Sequence, residues 1–475
     1  MLTKPRMVFG RDMEWSALAG FAARSDQKPQ IGVVSGRRRQ GKTYLLQALT
    51  RSVGGFYFGA TQATEAESLR LFAEALADFM DEPVGRFDSW DTAIKFLYSR
   101  IHTKTRLVVI DEFPYLTTAS PQLPSILQRE FDQAVSRRNP VSVLLCGSAM
   151  SVMGRVLAGD APLRGRANLE IVMRPFDYLE AAGFWQLTDP LVAMKVHSVV
   201  GGTAAYREFV NQDVPVSADD FDDWVNRTVF NPTIPLCREA RYLLEEETEV
   251  PDTAVYHSIL AAVAAGNNNL SGISSYVGRK TPEITRQLTI LEDCRLIRRD
   301  PDVFRKNRPR YRICEPLLTF YNAVMRTQWS LIETGRGATV WRGAQARFHS
   351  QVLGPHFEQL CREYAQFTPV NGELPGVVGA GVVVDERNQL ELDVVVFAPE
   401  EPGKRKRVLS IGETKWGEVM GKRQASRLQR ARDLLDQRGF DVDECRLICY
   451  SAKGFEEALK NETNVTTVGL ADLYV

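Results

Sequence analysis

Apolar residues in the first part of this chain fall into short runs separated by helical stretches. Ile31 to Ser35, Leu107 to Glu112, Val141 to Cys146 and Leu169 to Met173 each read as strands. Leu107-Val108-Val109-Ile110 is continuously apolar with three β-branched members, as expected of a strand buried on both faces. Such strands belong to a parallel sheet flanked by helices, so the amino-terminal part is predicted to be α/β.

The pattern changes beyond residue 250. Tyr256 to Ala265 is helical, Leu270 to Gly278 gives a short second helix ending on glycine, and Thr281-Pro282-Glu283 opens a third that is predicted to run to about Leu296. Ile297-Arg298-Arg299 and Tyr311-Arg312-Ile313 then make a hairpin. From residue 341 the character changes again. An amphipathic helix over Gln345 to Phe367 precedes strand signals at Gly376 to Val384, Gln389 to Phe397 and Arg407 to Trp416, then a helix at about Lys422 to Arg438 and a strand at Cys445 to Tyr450. The predicted order of this last part is αβββαβ.

The 475 residues are enough for about three domains. With 44% hydrophobic and 25% charged residues, composition is that of a globular protein. The 59 basic and 59 acidic residues cancel, so no global field draws nucleic acid and any such site must be a local basic patch. The start, Met1-Leu2-Thr3-Lys4-Pro5-Arg6, lacks an apolar signal core, and no stretch approaches the roughly 18 apolar residues that span a bilayer. A cytoplasmic protein without membrane contact is expected. The seven cysteines are scattered; Cys445 and Cys449 straddle a probable strand and read as small core residues.

The chemistry begins at Gly36-Arg37-Arg38-Arg39-Gln40-Gly41-Lys42-Thr43, which fits G-x-x-x-x-G-K-[ST] directly after a strand. Glycines let the backbone N–H groups curl around phosphates, Lys42 reaches the outer phosphates, and the Thr43 hydroxyl suits Mg2+. ATP with Mg2+ is the predicted cofactor pair, with Gly36, Gly41, Lys42 and Thr43 in the cradle. A P-loop needs a second element that anchors the metal and orients a water. Asp111 is predicted to hold the metal shell and Glu112 to polarise the water. Ser148, just beyond the third of these strands, is the candidate sensor of the γ-phosphate, with an ordinary helix N-cap as its competing reading. In Leu163-Arg164-Gly165-Arg166, Arg166 is predicted to project toward a neighbouring subunit's nucleotide, with a surface salt bridge as the alternative.

Phe9-Gly10-Arg11-Asp12-x-Glu14, GRRRQGKT, VVIDEFPYL, Gly147-Ser148, LRGR, RPFDYLEA and GGTAAY occur in this order over roughly residues 7 to 320. Together they resemble the archaeal-type ATPase family, in the AAA+/STAND branch of P-loop NTPases. The resemblance implies a five-stranded αβα core, an adenine contact near Phe9 to Arg11, and a helical lid. One departure is Ala204, where the family usually has proline.

The helices and hairpin between residues 253 and 313 read as a winged helix, and its tip, Phe304-Arg305-Lys306-Asn307-Arg308-Pro309-Arg310, is strongly basic. Either it reads DNA, with the third helix in the major groove and the wing on phosphates, or it is a spacer with solvated charges. In the αβββαβ part, Asp393 lies on the middle strand and Glu413-Thr414-Lys415 on the next. Alternation places Glu413 and Lys415 on one face, so that one metal is expected to meet Asp393, Glu413 and the Thr414 carbonyl while Lys415 aligns a water. An isolated E-x-K carries no weight, since about one or two are expected by chance in a chain this long; spacing and strand placement raise it. The arrangement resembles the PD-(D/E)xK nuclease family, with Glu358 matching an acidic residue that many members carry on the first helix.

The predicted layout is a P-loop ATPase core at 1–185, a helical lid at 186–250, a winged helix at 251–325, a linker at 326–345 and a restriction-endonuclease-like α/β domain at 346–475. The leading expectation is an ATP-dependent, homo-oligomeric DNA-processing protein that cuts phosphodiesters with Mg2+ at Glu358, Asp393, Glu413 and Lys415. The alternative is a STAND-like switch or scaffold whose last domain binds DNA or a partner without cutting.

Overall fold

The computed structural model describes residues 2–245, 253–384 and 389–475, in two compact units. The first holds residues up to Pro175 together with 203–205, and the second holds 176–202 and the chain from Tyr206 onward.

In the first unit, α1 (Asp12–Arg24), α2 (Lys42–Val53), α3 (Glu65–Met80), α4 (Trp90–Arg100), α5 (Phe113–Ala119), α6 (Leu123–Arg137) and α7 (Met150–Leu157) accompany five strands. These are β1 (Gln30–Ser35), β2 (Phe56–Gly59), β3 (Leu107–Asp111), β4 (Ser142–Gly147) and β5 (Ala167–Val172). Every pairing is parallel, in the order β2-β3-β4-β1-β5. All six residues of β1 and of β4 and all five of β3 are buried, because helices cover both faces. Phe56, Phe72, Trp90 and Leu127 pack on one face, and Phe21, Leu46, Val109 and Leu144 on the other. The αβα core is thus as expected. β2 escapes the sequence pattern because it has only four residues between Gly54-Gly55 and an exposed loop. Since the strands are parallel, Ser35 pairs with Gly147 and Gly59 with Asp111, bringing the loops after β1, β3 and β4 to one edge.

The second unit opens with α8 (Tyr178–Trp185), α9 (Pro190–Val200), α10 (Ala205–Phe209, whose first residue belongs to the first unit), α11 (Phe221–Arg227) and α12 (Pro235–Glu245). Three helices follow, α13 (Thr253–Ala264), α14 (Leu270–Val277) and α15 (Thr281–Asp293), then an antiparallel hairpin of β6 (Ile297–Asp300) and β7 (Arg310–Ile313). The side chain of Asn269 caps α14 by accepting the Gly272 N–H at 2.9 Å. The third helix stops at Asp293, short of the expected Leu296. Arg295 takes φ 55°, a left-handed turn that ends the helix and lets the Leu296 carbonyl accept the Cys314 N–H at 2.9 Å.

Next come α16 (Pro316–Phe320), α17 (Trp329–Glu333), α18 (Gly337–Arg347) and α19 (Gly354–Phe367). The amphipathic helix expected from Gln345 starts earlier, because α18 runs into α19 through a wide π-turn at Phe348–Leu353. That turn places Phe348 in an aromatic core, stacked on Phe221 at 5.9 Å and edge-on to Trp341 at 4.9 Å. The chain finishes with β8 (Val377–Val384), β9 (Gln389–Phe397), β10 (Val408–Lys415), α20 (Lys422–Gln437), β11 (Arg446–Ser451), α21 (Glu457–Lys460) and β12 (Val465–Gly469). The sheet order is β12-β11-β10-β9-β8, antiparallel among β8, β9 and β10 and parallel from β10 to β12. The expected αβββαβ order is present, with β12 as an unforeseen edge strand. Cys445 and Cys449 are buried, as expected of core residues. Among the described residues, no helix is long and apolar enough to cross a membrane.

His197 of α9 and His356 of α19 hydrogen-bond ring to ring, Nδ1 to Nε2, at 2.9 Å. Burial lowers His197 to about 4 and His356 well below its ordinary value, the latter helped by His197 and Arg312. A folded-state value below the unfolded 6.5 means that the neutral pair's contribution is full above about pH 6.5 and lost as the pH falls toward about 4. Thermal unfolding of the full chain should therefore occur at lower temperature at pH 5 than at pH 7, and the pH-dependent part should shrink in His197→Gln/His356→Leu; an unchanged pH dependence in that variant overturns the assignment.

Candidate functional site

The loop after β1 turns on Gly36, whose φ is 152° and where an added Cβ would lie 2.7 Å from the Met173 carbonyl oxygen, so no other residue fits without movement. Gly41 at φ 84° delivers the chain into α2. Lys42 is buried, and its ammonium donates to the carbonyls of Gly36 at 2.6 Å and Arg37 at 2.9 Å. Burial lowers its pKa, opposed by Cys146, Glu112 and Asp111 nearby. Arg11 takes φ 58° before α1, and its guanidinium reaches the Gln40 carbonyl at 3.4 Å and Glu14 at 3.4 Å. Phe9 is partly exposed two residues earlier. Arg11 thus ties the Phe9 to Glu14 motif to the phosphate loop.

Asp111 ends β3, is 2% exposed, and is held by donors from several elements. Thr43 Oγ1 and the Tyr57 hydroxyl both donate to its Oδ2 at 2.7 Å, and the Glu112 N–H donates to Oδ1 at 2.9 Å. The hydroxyl of Thr43 and the carboxylate of Asp111 are oxygen donors side by side at the strand edge, a set that fits Mg2+. Glu112 adopts φ 52°, ψ 39°, a left-handed conformation that costs a non-glycine residue about 1 kcal/mol or more. It places the carboxylate beneath Ser148, whose hydroxyl donates to it at 3.0 Å from Oε2 and 3.2 Å from Oε1. Five predicted residues, Lys42, Thr43, Asp111, Glu112 and Ser148, are thus at one edge. Tyr57 is the member that sequence reading missed. It sits on the short strand that was itself missed, and its side chain also hydrogen-bonds Gln47 of α2.

Arg166 makes a bidentate pair with Asp132 of α6, Nε to Oδ1 at 2.9 Å and Nη2 to Oδ2 at 2.8 Å. The salt bridge weighed as its alternative is the arrangement found within the chain.

Residues 8–198 match the family model of an ATPase domain predominantly from Archaea. An uncharacterized protein of Methanocaldococcus jannaschii is 26% identical over 338 residues, 70% of this chain and 72% of its own. Among solved structures, the Walker-type ATPase of Pyrococcus abyssi matches with a TM-score of 0.50 at 17% identity, covering 67% of this chain and 97% of that one. The ORC2 protein of Aeropyrum pernix, solved in ADPNP and ADP complexes, matches with a TM-score of 0.45 at 14% identity, covering 72% and 97%. The Pyrococcus likeness shows a shared fold.

Far along the chain from residues 8–198, Glu358, Asp393, Glu413 and Lys415 lie on α19, β9 and β10. The β8–β9 register slips where Gly379 faces Val395 and Gly381 faces Leu392, so Asp393 and Val394 take up one extra step. Asp393 Oδ2 accepts the Thr414 N–H at 2.8 Å and its hydroxyl at 3.2 Å, while Arg362 of α19 donates to the Asp393 carbonyl at 2.8 Å. Burial raises Asp393, opposed by that Thr414 N–H. Burial and then the Asp393 charge push Glu358 up to about 7. Glu413 is engaged from the other helix: its Oε1 pairs with Arg427 of α20 at 3.0 Å and with Lys415 at 3.2 Å, and its buried Oε2 has no hydrogen-bond partner. Among the described residues, no group of three His, Cys, Asp or Glu side chains is placed to hold a metal. Around the expected seat of Asp393, Glu413 and the Thr414 carbonyl, the Glu413 carboxylate is thus paired with Arg427 and Lys415, and the Thr414 amide donates to Asp393.

Tyr57→Phe removes one hydrogen bond to the Asp111 carboxylate, worth about 1.5 kcal/mol. Binding of a fluorescent ADP analogue should weaken about tenfold with Mg2+ present and stay unchanged in EDTA; equal weakening in both would mean that Tyr57 does not act through Asp111.

Proposed function

We propose that this chain is an ATP-driven switch that hydrolyses ATP with Mg2+ and engages DNA through its carboxy-terminal part. The observation that carries the proposal is the array of Thr43, Asp111, Glu112 and Ser148 at the carboxyl edge of the parallel sheet. Lys42 and the loop amides hold the phosphates, with Phe9 and Arg11 toward the base. Thr43 and Asp111 would hold Mg2+, which would supply charge neutralisation at the transferred phosphoryl group. Glu112 accepts the proton of the attacking water.

The Ser148 hydroxyl has one proton to donate, and in this arrangement Glu112 receives it. A γ-phosphate that captures that proton releases the carboxylate to the water. Ser148 thereby couples nucleotide state to the readiness of the base. Arg166 serves a second subunit's nucleotide in a homo-oligomer, and its release from Asp132 is the step that such assembly requires.

The order of three helices and a hairpin at 253–313 supports a winged helix, and the α-β-β-β-α-β order after it supports a PD-(D/E)xK-like domain. The pairing of Glu413 with Arg427 favours a domain that binds DNA or a partner without cutting. Mg2+-dependent cleavage at Asp393, Glu413 and Lys415 with Glu358 is the second reading, supported by the adjacent strands that carry Asp393 and Glu413. A cytoplasmic setting accords with both readings.

Glu112→Gln should slow ATP hydrolysis by about 100-fold to 10,000-fold while leaving nucleotide affinity within about twofold; turnover near the unmutated rate would remove Glu112 as the base. The unmutated chain should leave plasmid, duplex and branched DNA intact over hours with Mg2+ and ATP. Cleavage that is abolished by Asp393→Ala would establish the second reading instead.

A further inference from the structure

The tip of the β6–β7 hairpin is seated on the edge strand of the carboxy-terminal sheet. Asp302 makes a bridge to Ala380, and the Val303 N–H donates to the Ala380 carbonyl at 3.1 Å. Asp302 Oδ1 accepts the N–H groups of Phe304 at 2.9 Å and Arg305 at 3.0 Å, and its Oδ2 accepts the Val382 N–H at 3.1 Å. One carboxylate therefore shapes the tip and fastens it to β8 at the same time. The receptor is fitted to it. A Cβ at Gly379 would lie 2.5 Å from Val303 Cγ1, and one at Gly381 would lie 2.5 Å from the Phe304 ring. Phe304 continues past the strand to pack edge-on against Phe397 at 5.9 Å and Phe440 at 5.5 Å.

Docking leaves the polar end of the tip outward. Lys306, Asn307 and Arg308 are exposed and Arg305 partly so. Other cations converge on the same two strands. Arg310 of the hairpin pairs with the Glu391 carboxylate, Arg427 of α20 donates to the Glu391 carbonyl at 3.1 Å, and Arg438 donates to the Val384 carbonyl. Arginines from two modules are thus fixed on one sheet edge in a chain whose net charge is zero.

We propose that the hairpin and the carboxy-terminal domain form one composite rim for a nucleic-acid backbone, and that the tip contacts phosphates while docked on β8. The inference rests on DNA as the partner. A free wing would expose Val303 and Phe304 and strip Val382 of its acceptor, so the docked form is the one in which the basic residues are held in register.

A crosslink tests this directly. Val303 Cβ lies 4.0 Å from the position of a Cβ at residue 379, inside the disulfide range of about 3.5–4.5 Å. In the full chain, Val303→Cys/Gly379→Cys should oxidise without DNA present, and the oxidised protein should bind a fluorescent duplex within about twofold of the unmutated chain. Arg305→Ala/Lys306→Ala/Arg308→Ala should weaken binding at least about tenfold and lower the salt slope by about three. Phe304→Asp should weaken it similarly, and combining the two changes should add little. Binding that is lost on oxidation and restored by reductant would show that the wing works detached and overturn the proposal. So would full affinity in the triple variant. An unmutated chain that binds no duplex sinks both the DNA reading and the rim, whereas failure of the crosslink to form sinks the docking alone.

Discussion

The buried carboxylate of Asp111 is the constraint on which the ATPase edge depends. An anion so nearly excluded from water is stable only if its oxygens are met by donors, and the Thr43 hydroxyl, the Tyr57 hydroxyl and the Glu112 amide are among those that meet it. Each donor comes from a different piece of the αβα unit. Asp111 consequently fixes the start of α2, the end of β2 and the turn after β3 relative to one another. That turn forces Glu112 into its left-handed conformation and aims it at Ser148. The geometry of Glu112 is a consequence of how the Asp111 carboxylate is satisfied.

A similar argument, with the opposite outcome, applies to the carboxy-terminal sheet. Glu413 is as deeply buried as Asp111, but cations meet it where Asp111 meets neutral donors: Arg427 and Lys415. A carboxylate that already faces two positive groups has its charge neutralised from within the chain. Asp393 is likewise satisfied by the Thr414 amide and hydroxyl. The same two residue types thus serve different ends in the two sheets, according to the charge of their partners.

The amino-terminal fold was largely legible from the order of apolar runs and the P-loop spacing. β1, β3 and β4 announce themselves because burial on both faces makes them largely apolar, and β5, at the sheet edge, does so through Leu169, Ile171 and Val172. β2 and β12 do not: one is four residues long, and the other, Val465-Thr466-Thr467-Val468-Gly469, is a partly exposed edge strand with few apolar positions. Tyr57 was hidden with β2. The docking of Val303 and Phe304 was equally out of reach, since a basic hairpin tip and a glycine-spaced strand some 75 residues apart carry no shared local signal.

The sequence by itself determined which backbone would curl around phosphate, which strand would end in Asp111-Glu112, and that αβββαβ would follow the three helices and hairpin. These depend on side-chain size, polarity and period over a few neighbouring residues, which local sequence encodes completely. Tertiary structure decided which groups meet: Ser148 with Glu112, Arg166 with Asp132, Arg427 with Glu413, and the hairpin tip with β8. Such pairs join residues separated by a dozen to about eighty positions, and a one-residue slip in strand register like that at Asp393 is enough to change them.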